Sequence, residues 1–187
     1  PTGSGKTEIF LLFILARIIK SKYIERKNER AALVYPRKTL SVDQSSRLIR
    51  LLQIANKKGY EITFGLRDGH TPKEYDIRKG KVKDGDLFRG IKCPECGGNL
   101  VYRIKDGSVK CRDCFTHLDF VRSTRESQGK SPPDIIITNM WSLEVRVMDN
   151  AEKDINVHTF QDLGILVVDE AHEYTGLGGG LISHLIR

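Results

Sequence analysis

Four consecutive apolar residues, Ile165, Leu166, Val167 and Val168, run directly into two carboxylates, Asp169 and Glu170. A short unbroken run of this kind suits a strand buried on both faces of a parallel sheet. Ligands of open α/β sheets sit at the carboxyl ends of the strands, so the carboxylates are expected at a site. The other end of the chain supplies a partner. Residues 1–7 read Pro-Thr-Gly-Ser-Gly-Lys-Thr and open an apolar helix expected over residues 5–23. That is a phosphate-binding loop lacking only its first residue. Gly3 and Gly5 let the backbone curl until its amides face phosphate oxygens; Lys6 adds a cation and Thr7 a hydroxyl for Mg2+. Thr2, Gly3, Ser4, Gly5, Lys6 and Thr7 are therefore the candidate nucleotide-binding residues. Apolar residues surround the first turns of the helix, which predicts burial on nearly every side.

All four cysteines fall in one short stretch. Cys93 and Cys96 form one pair, Cys111 and Cys114 another, with two residues inside each pair and fourteen between them. This is the spacing of a closed tetrahedral zinc site, structural because four protein ligands leave no position for a catalytic water. Gly97 and Gly98 permit the turn behind the metal, and Asp106-Gly107 closes a hairpin. A module this small lacks an adequate core of its own, so Zn2+ is expected to hold it together. His117 is left as a spare. Disulfide frameworks belong to small secreted domains, so a reducing, cytoplasmic setting is expected. The longest apolar run, residues 9–16, is too short to span a bilayer and is followed by Arg17, so no membrane partner is expected. The net charge of +7, about +5 once zinc and four thiolates are counted, favours a polyanionic partner. The chain begins inside a motif without a methionine and is expected to be a piece of a longer protein.

Residues 31–35 read as a strand ended by Pro36, and residues 36–44 lead into a helix through about residue 58. Arg37, Lys38 and Thr39, at a strand end close to a helix N-terminus, are well placed to hold a backbone phosphate. A strand over residues 61–64 precedes the turn Asp68-Gly69-His70-Thr71-Pro72, in which His70 is read as solvated. Residues 73–92 and 122–133 read as charged or Gly/Pro-rich linkers around the insertion. A buried strand over residues 134–138 ends in Thr138-Asn139, and a helix is expected from Trp141. The organisation predicted is an α/β domain in two parts, residues 1–90 and 118–187, interrupted by a zinc ribbon at residues 91–117.

The phosphate loop, the strand followed by Pro-Arg-Lys-Thr-Leu-Ser-Val-Asp-Gln, the strand ending Thr-Asn and the strand ending Asp-Glu-Ala-His occur in one order. In these motifs the sequence resembles the first RecA-like domain of the DEAD/DEAH-box helicases of superfamily 2. Residues 36–44 are similar to the family's Pro-Thr-Arg-Ala-Leu-Ala-x-Asp-Gln, with Arg37 and Lys38 where that pattern has Thr and Arg. Residues 67–72 resemble the Asp-Gly-Asp-Thr turn of large DNA helicases, with His70 replacing the second acidic residue. Ile137-Thr138-Asn139 resembles Thr-Asn-Pro, with Met140 in place of proline.

The resemblance implies a RecA-like P-loop NTPase fold with a mostly parallel sheet, ATP and Mg2+ as ligands, and an ATP-driven helicase or translocase. It implies that Arg37, Lys38, Thr39, Gln44, Asp68, Gly69, Thr138 and Asn139 meet nucleic acid, with DNA favoured over RNA. It makes Lys6, Asp169 and Glu170 catalytic: Lys6 neutralises phosphate, Asp169 joins Thr7 at magnesium, and Glu170 positions and deprotonates the attacking water. His172 would relay nucleotide state toward the nucleic-acid face. A second RecA-like domain bearing an arginine finger is implied as a partner beyond this chain; without it, turnover falls on the order of a thousandfold or more. The alternatives are an RNA helicase of the same superfamily, or a zinc-ribbon binding module with a passive ATPase domain. Intact Lys6, Thr7, Asp169 and Glu170 favour the enzyme.

Overall fold

Every neighbouring pair of strands in the larger sheet is parallel. The computed structural model describes residues 6–142, 162–174 and Gly180, with Lys6 and Thr7 described in their backbone alone. The strands are β1 (Arg30–Tyr35), β2 (Phe64–Arg67), β7 (Val121–Arg122), β8 (Ile135–Asn139) and β9 (Leu163–Val168), in the order β7-β2-β8-β1-β9 across the sheet. With all strands pointing one way, their carboxyl ends form a single edge, where a RecA-like α/β fold gathers its ligands.

The interior strands are the most apolar. From Ala31 to Tyr35, β1 is fully buried between β8 and β9, and Ile135 to Ile137 of β8 are buried beside it. Helix α1 (Lys6–Ile19) packs Leu11, Ile14, Leu15 and Ile18 into the core. Those positions recur at three- and four-residue intervals and form one stripe of a helix. The expected burial on nearly every side is not met: Ile9, Leu12 and Phe13 are 69%, 51% and 68% exposed. A helix on the outside of a sheet buries the stripe facing the sheet, and its opposite face needs a further layer. After α1 a π-helical turn runs from Lys20 to Glu25 and stops at Arg26, which adopts a left-handed conformation. Helix α2 (Lys38–Lys57) buries Leu48, Ile49, Leu52 and Ala55.

Two strands differ from their expected form. β9 is an edge strand among the described residues, paired with β1 alone, and Leu163 and Leu166 remain more than a third exposed. Its apolar run therefore marks a strand without marking two covered faces. β2 starts at Phe64, later than expected, because Asp134 intercepts Thr63: the carboxylate accepts the Thr63 amide at 2.7 Å and its hydroxyl at 2.8 Å.

The insertion is larger and less separate than the linker composition suggested. Its antiparallel sheet comprises β3 (Leu87–Lys92), β4 (Asn99–Arg103), β5 (Ser108–Cys111) and β6 (His117–Leu118). Phe88, Ile91, Leu100, Tyr102, Val109 and Leu118 belong to the same hydrophobic cluster as α1, α2 and the parallel strands. Glu95, inside the first cysteine pair, binds Lys57 at 2.5 Å and Gln53 at 3.0 Å on α2. At the hairpin tip, Gly107 accepts hydrogen bonds from the Ser123 amide and hydroxyl at 2.7 and 2.9 Å. Gly107 has φ of +66°, and a Cβ there would lie 2.7 Å from Ser127 Cβ, so only glycine fits this docked turn. The expected linkers contain α3 (Glu74–Arg78) and α4 (Arg125–Lys130), the latter opened by Thr124, whose hydroxyl accepts the Ser127 amide.

Candidate functional site

Three adjacent strand ends converge on a small apolar cluster of Val34, Met140, Val168 and Tyr174, which fixes the edge carrying the predicted residues. Asp169 follows β9; its amide donates to Val34 O at 3.0 Å, continuing the ladder one step past the strand. Its Oδ1 accepts the Glu170 amide at 2.9 Å. Glu170 is left-handed, with φ of +49°, and is exposed where Asp169 is half-buried. His172 Nδ1 lies 3.4 Å from Glu170 Oε2. Burial pushes the Tyr174 hydroxyl up, to about 12, with the charges of Glu173 and Asp169 adding to it; burial and the Asp169 charge push the Tyr35 hydroxyl in the same direction. The half-buried Asp169 carboxylate at the end of β9 is the kind of hard oxygen donor that a magnesium ion takes. Thr2, Gly3, Ser4 and Gly5 lie outside the described residues; Lys6 and Thr7 begin α1, at the helix N-terminus where a phosphate is favoured.

The opposite part of the edge carries the basic groups. Arg37 Nη2 is 3.1 Å from Glu173 Oε1, linking the end of β1 to the turn after β9. Lys38 Nζ lies 2.9 Å from His70 Nε2. Thr39 and Gly69 are exposed beside them. Gln44, Thr138 and Asn139 are buried: Asn139 Oδ1 caps the Ser142 amide at 2.8 Å, and Gln44 Oε1 has no partner among the described residues.

Asp68 is placed otherwise than an exposed turn would suggest. Its carboxylate is 2% exposed and takes both terminal nitrogens of Arg89, at 2.6 and 2.5 Å, from β3 of the insertion. It also accepts the His70 amide at 2.8 Å, so the same group ties the ribbon to the turn that presents His70. Burial would push the Asp68 carboxyl up, but the Arg89 hydrogen bonds and charge outweigh it and hold it below its ordinary value. Arg89 is one cation in a charged stretch, and nothing in its neighbourhood along the chain marks it as the partner of Asp68.

The four cysteine sulfurs lie within 4.8 Å of one another, with Cys93–Cys114 at 3.7 Å and Cys96–Cys111 at 3.5 Å. Tetrahedral Zn–S bonds about 2.3 Å long have edges of roughly 3.8 Å. The set fits zinc. Burial pushes the Cys93 thiol up to about 12, while hydrogen bonding to Thr116 brings Cys114 down to about 6. A bound dication would deprotonate all four. His117 stands apart from this cluster, 2.5 Å from Arg103.

Residues 1–83 match the family model described as DEAD/DEAH box helicase. This segment is similar to DEAD/DEAH-box helicase sequences. The chain is 28% identical over 246 aligned positions to the Druantia protein DruE of Escherichia coli (strain UMEA 4076-1), covering 100% of this chain and 13% of that protein. The crystal structure of the DUF1998 helicase MrfA shares the fold, with a TM-score of 0.56 at 23% identity, over 100% of this chain and 20% of that one. The helicase match contains the phosphate loop, Arg37 to Gln44 and the Asp68 turn. Thr138, Asn139, Asp169, Glu170 and His172 lie beyond it and join the same edge through the parallel sheet.

Proposed function

We propose that this chain is the ATP-hydrolysing part of a helicase or translocase that moves on DNA. The observation that carries this reading is the Asp169–Glu170 pair at the carboxyl end of β9, on the edge that also bears Arg37, Lys38 and His70. Lys6 and the amides of Gly3 to Thr7 would hold the phosphates, and Thr7 and Asp169 would hold magnesium. When bound, magnesium supplies charge neutralisation at the phosphates. The exposed Glu170 takes the proton of the attacking water; His172 stands close enough to sense its charge. The choice of DNA over RNA rests on the likeness of residues 67–72 to a turn of DNA helicases. The free, clustered cysteines suit a reducing, intracellular setting with one structural zinc. No helix among the described residues is long and apolar enough to cross a membrane.

The test is steady-state ATP turnover with and without single-stranded DNA. Glu170→Gln keeps the shape of the site and loses its base, so turnover is expected to fall at least about a hundredfold while Mg·ATP still binds. Loss of binding in that variant would make Glu170 a structural residue. DNA affinity is expected to fall as salt rises and to vary little with sequence, because Lys38 and Thr39 meet phosphate and read no base edge. A strong preference for one sequence at fixed salt would contradict this.

A further inference from the structure

We propose that Trp141 is a stacking platform for a base of single-stranded DNA, at the centre of the carboxyl edge of the sheet; the proposal rests on the nucleic-acid reading above. β8 lies between β2 and β1, with Arg67 beside Thr138 and Tyr35 beside Asn139. The strands flanking β8 are about 10 Å apart. Nevertheless Lys38, just past β1, and His70, just past β2, come within 2.9 Å of each other. Their contact therefore spans the end of β8, the point at which Trp141 leaves the sheet.

Trp141 is held outward. It is 74% exposed, the most exposed large apolar side chain among the described residues, whereas its neighbours Met140 and Ser142 are 6% and 8% exposed. Met140 packs against Val34, and the Ser142 amide is capped by Asn139. With one neighbour anchored in a core and the other in a buried hydrogen bond, the backbone between them has one orientation. The indole is thus an exposed aromatic face at the strand end that the Lys38–His70 contact spans. A phosphate pairs with the Lys38 ammonium, and an indole accepts any base on its face, which is how sequence-tolerant single-strand sites combine backbone charge with stacking. A DNA strand answers both features, because every nucleotide carries a phosphate for the lysine and a base for the indole.

Trp141 is the chain's one tryptophan, so its fluorescence reports this site alone. The zinc-loaded chain is titrated with a dye-labelled oligothymidylate of roughly twelve nucleotides. A matched strand with abasic sites is titrated in parallel, with binding followed by dye anisotropy. The expected results are quenching of Trp141 by the oligothymidylate, and binding of the abasic strand without quenching. Trp141→Ala is expected to lose about 5- to 100-fold in affinity, with the salt dependence unchanged, and Trp141→Phe to recover most of the loss. Binding with unaltered fluorescence and wild-type affinity in Trp141→Ala would overturn the stacking role and leave the helicase reading standing. No binding by anisotropy would overturn both.

Discussion

Stripping zinc from the chain is expected to lower its melting temperature by on the order of 10 °C or more. The β3–β6 sheet holds its knuckles in place through Cys93, Cys96, Cys111 and Cys114, whose thiols repel or protonate when the metal leaves. The effect spreads because Phe88, Ile91, Leu100 and Val109 share a core with Leu48 and Leu52 of α2. Melting should be a single transition in the zinc-loaded protein and should shift as a whole on chelation or in the double substitution Cys111→Ser, Cys114→Ser. Metal analysis should find about one zinc per chain. β1, β8 and β9 lie outside the insertion, so Mg·ATP binding should persist below the new midpoint. Two separate transitions, with the larger unaffected by chelation, would mean that the ribbon is an independent appendage.

Removing Arg89 is the second large effect. Arg89→Ala leaves the Asp68 carboxylate buried without its guanidinium, a change worth about 3–5 kcal/mol. The wild-type pair holds Asp68 below its ordinary value, so its contribution is complete above about pH 4 and is lost as pH falls through the lowered folded value. In Arg89→Ala the carboxyl shifts the other way, and protonation relieves the buried charge. The stability gap between wild type and variant should therefore be widest near neutrality and narrow as pH falls, measured by urea unfolding. Replacing both residues, Asp68→Ala with Arg89→Ala, should cost less than the sum of the two single changes, because no charge is left buried. Additive single effects, or a gap independent of pH, would contradict the pairing. Arg89→Ala should also weaken DNA binding, since Asp68 fixes the amide of His70.

What the sequence made legible was chemistry carried by neighbouring residues. The cysteine pairs converge as expected because each knuckle closes over two intervening residues, and β1 and β8 fall close to their apolar runs because interior parallel strands are buried along their length. What it hid depends on which strands become neighbours. Arg89 meets Asp68, and Lys38 meets His70, only after the sheet order is set. The outward setting of Trp141 requires Met140 to pack against Val34 from another strand. The exposed faces of α1 and β9 were equally invisible: an apolar run records the preference of its side chains, and the layers around it decide how many faces are covered.

Titration calorimetry of Mg·ATP into the wild-type chain and Lys6→Ala tests the nucleotide-driven reading most directly. Lys6 begins α1, where its ammonium would offset phosphate charge that the helix amides alone cannot neutralise. Saturable binding by the wild type and a loss of at least about tenfold in Lys6→Ala is the predicted result. Equal affinity in the two proteins, or no binding in either, would contradict it.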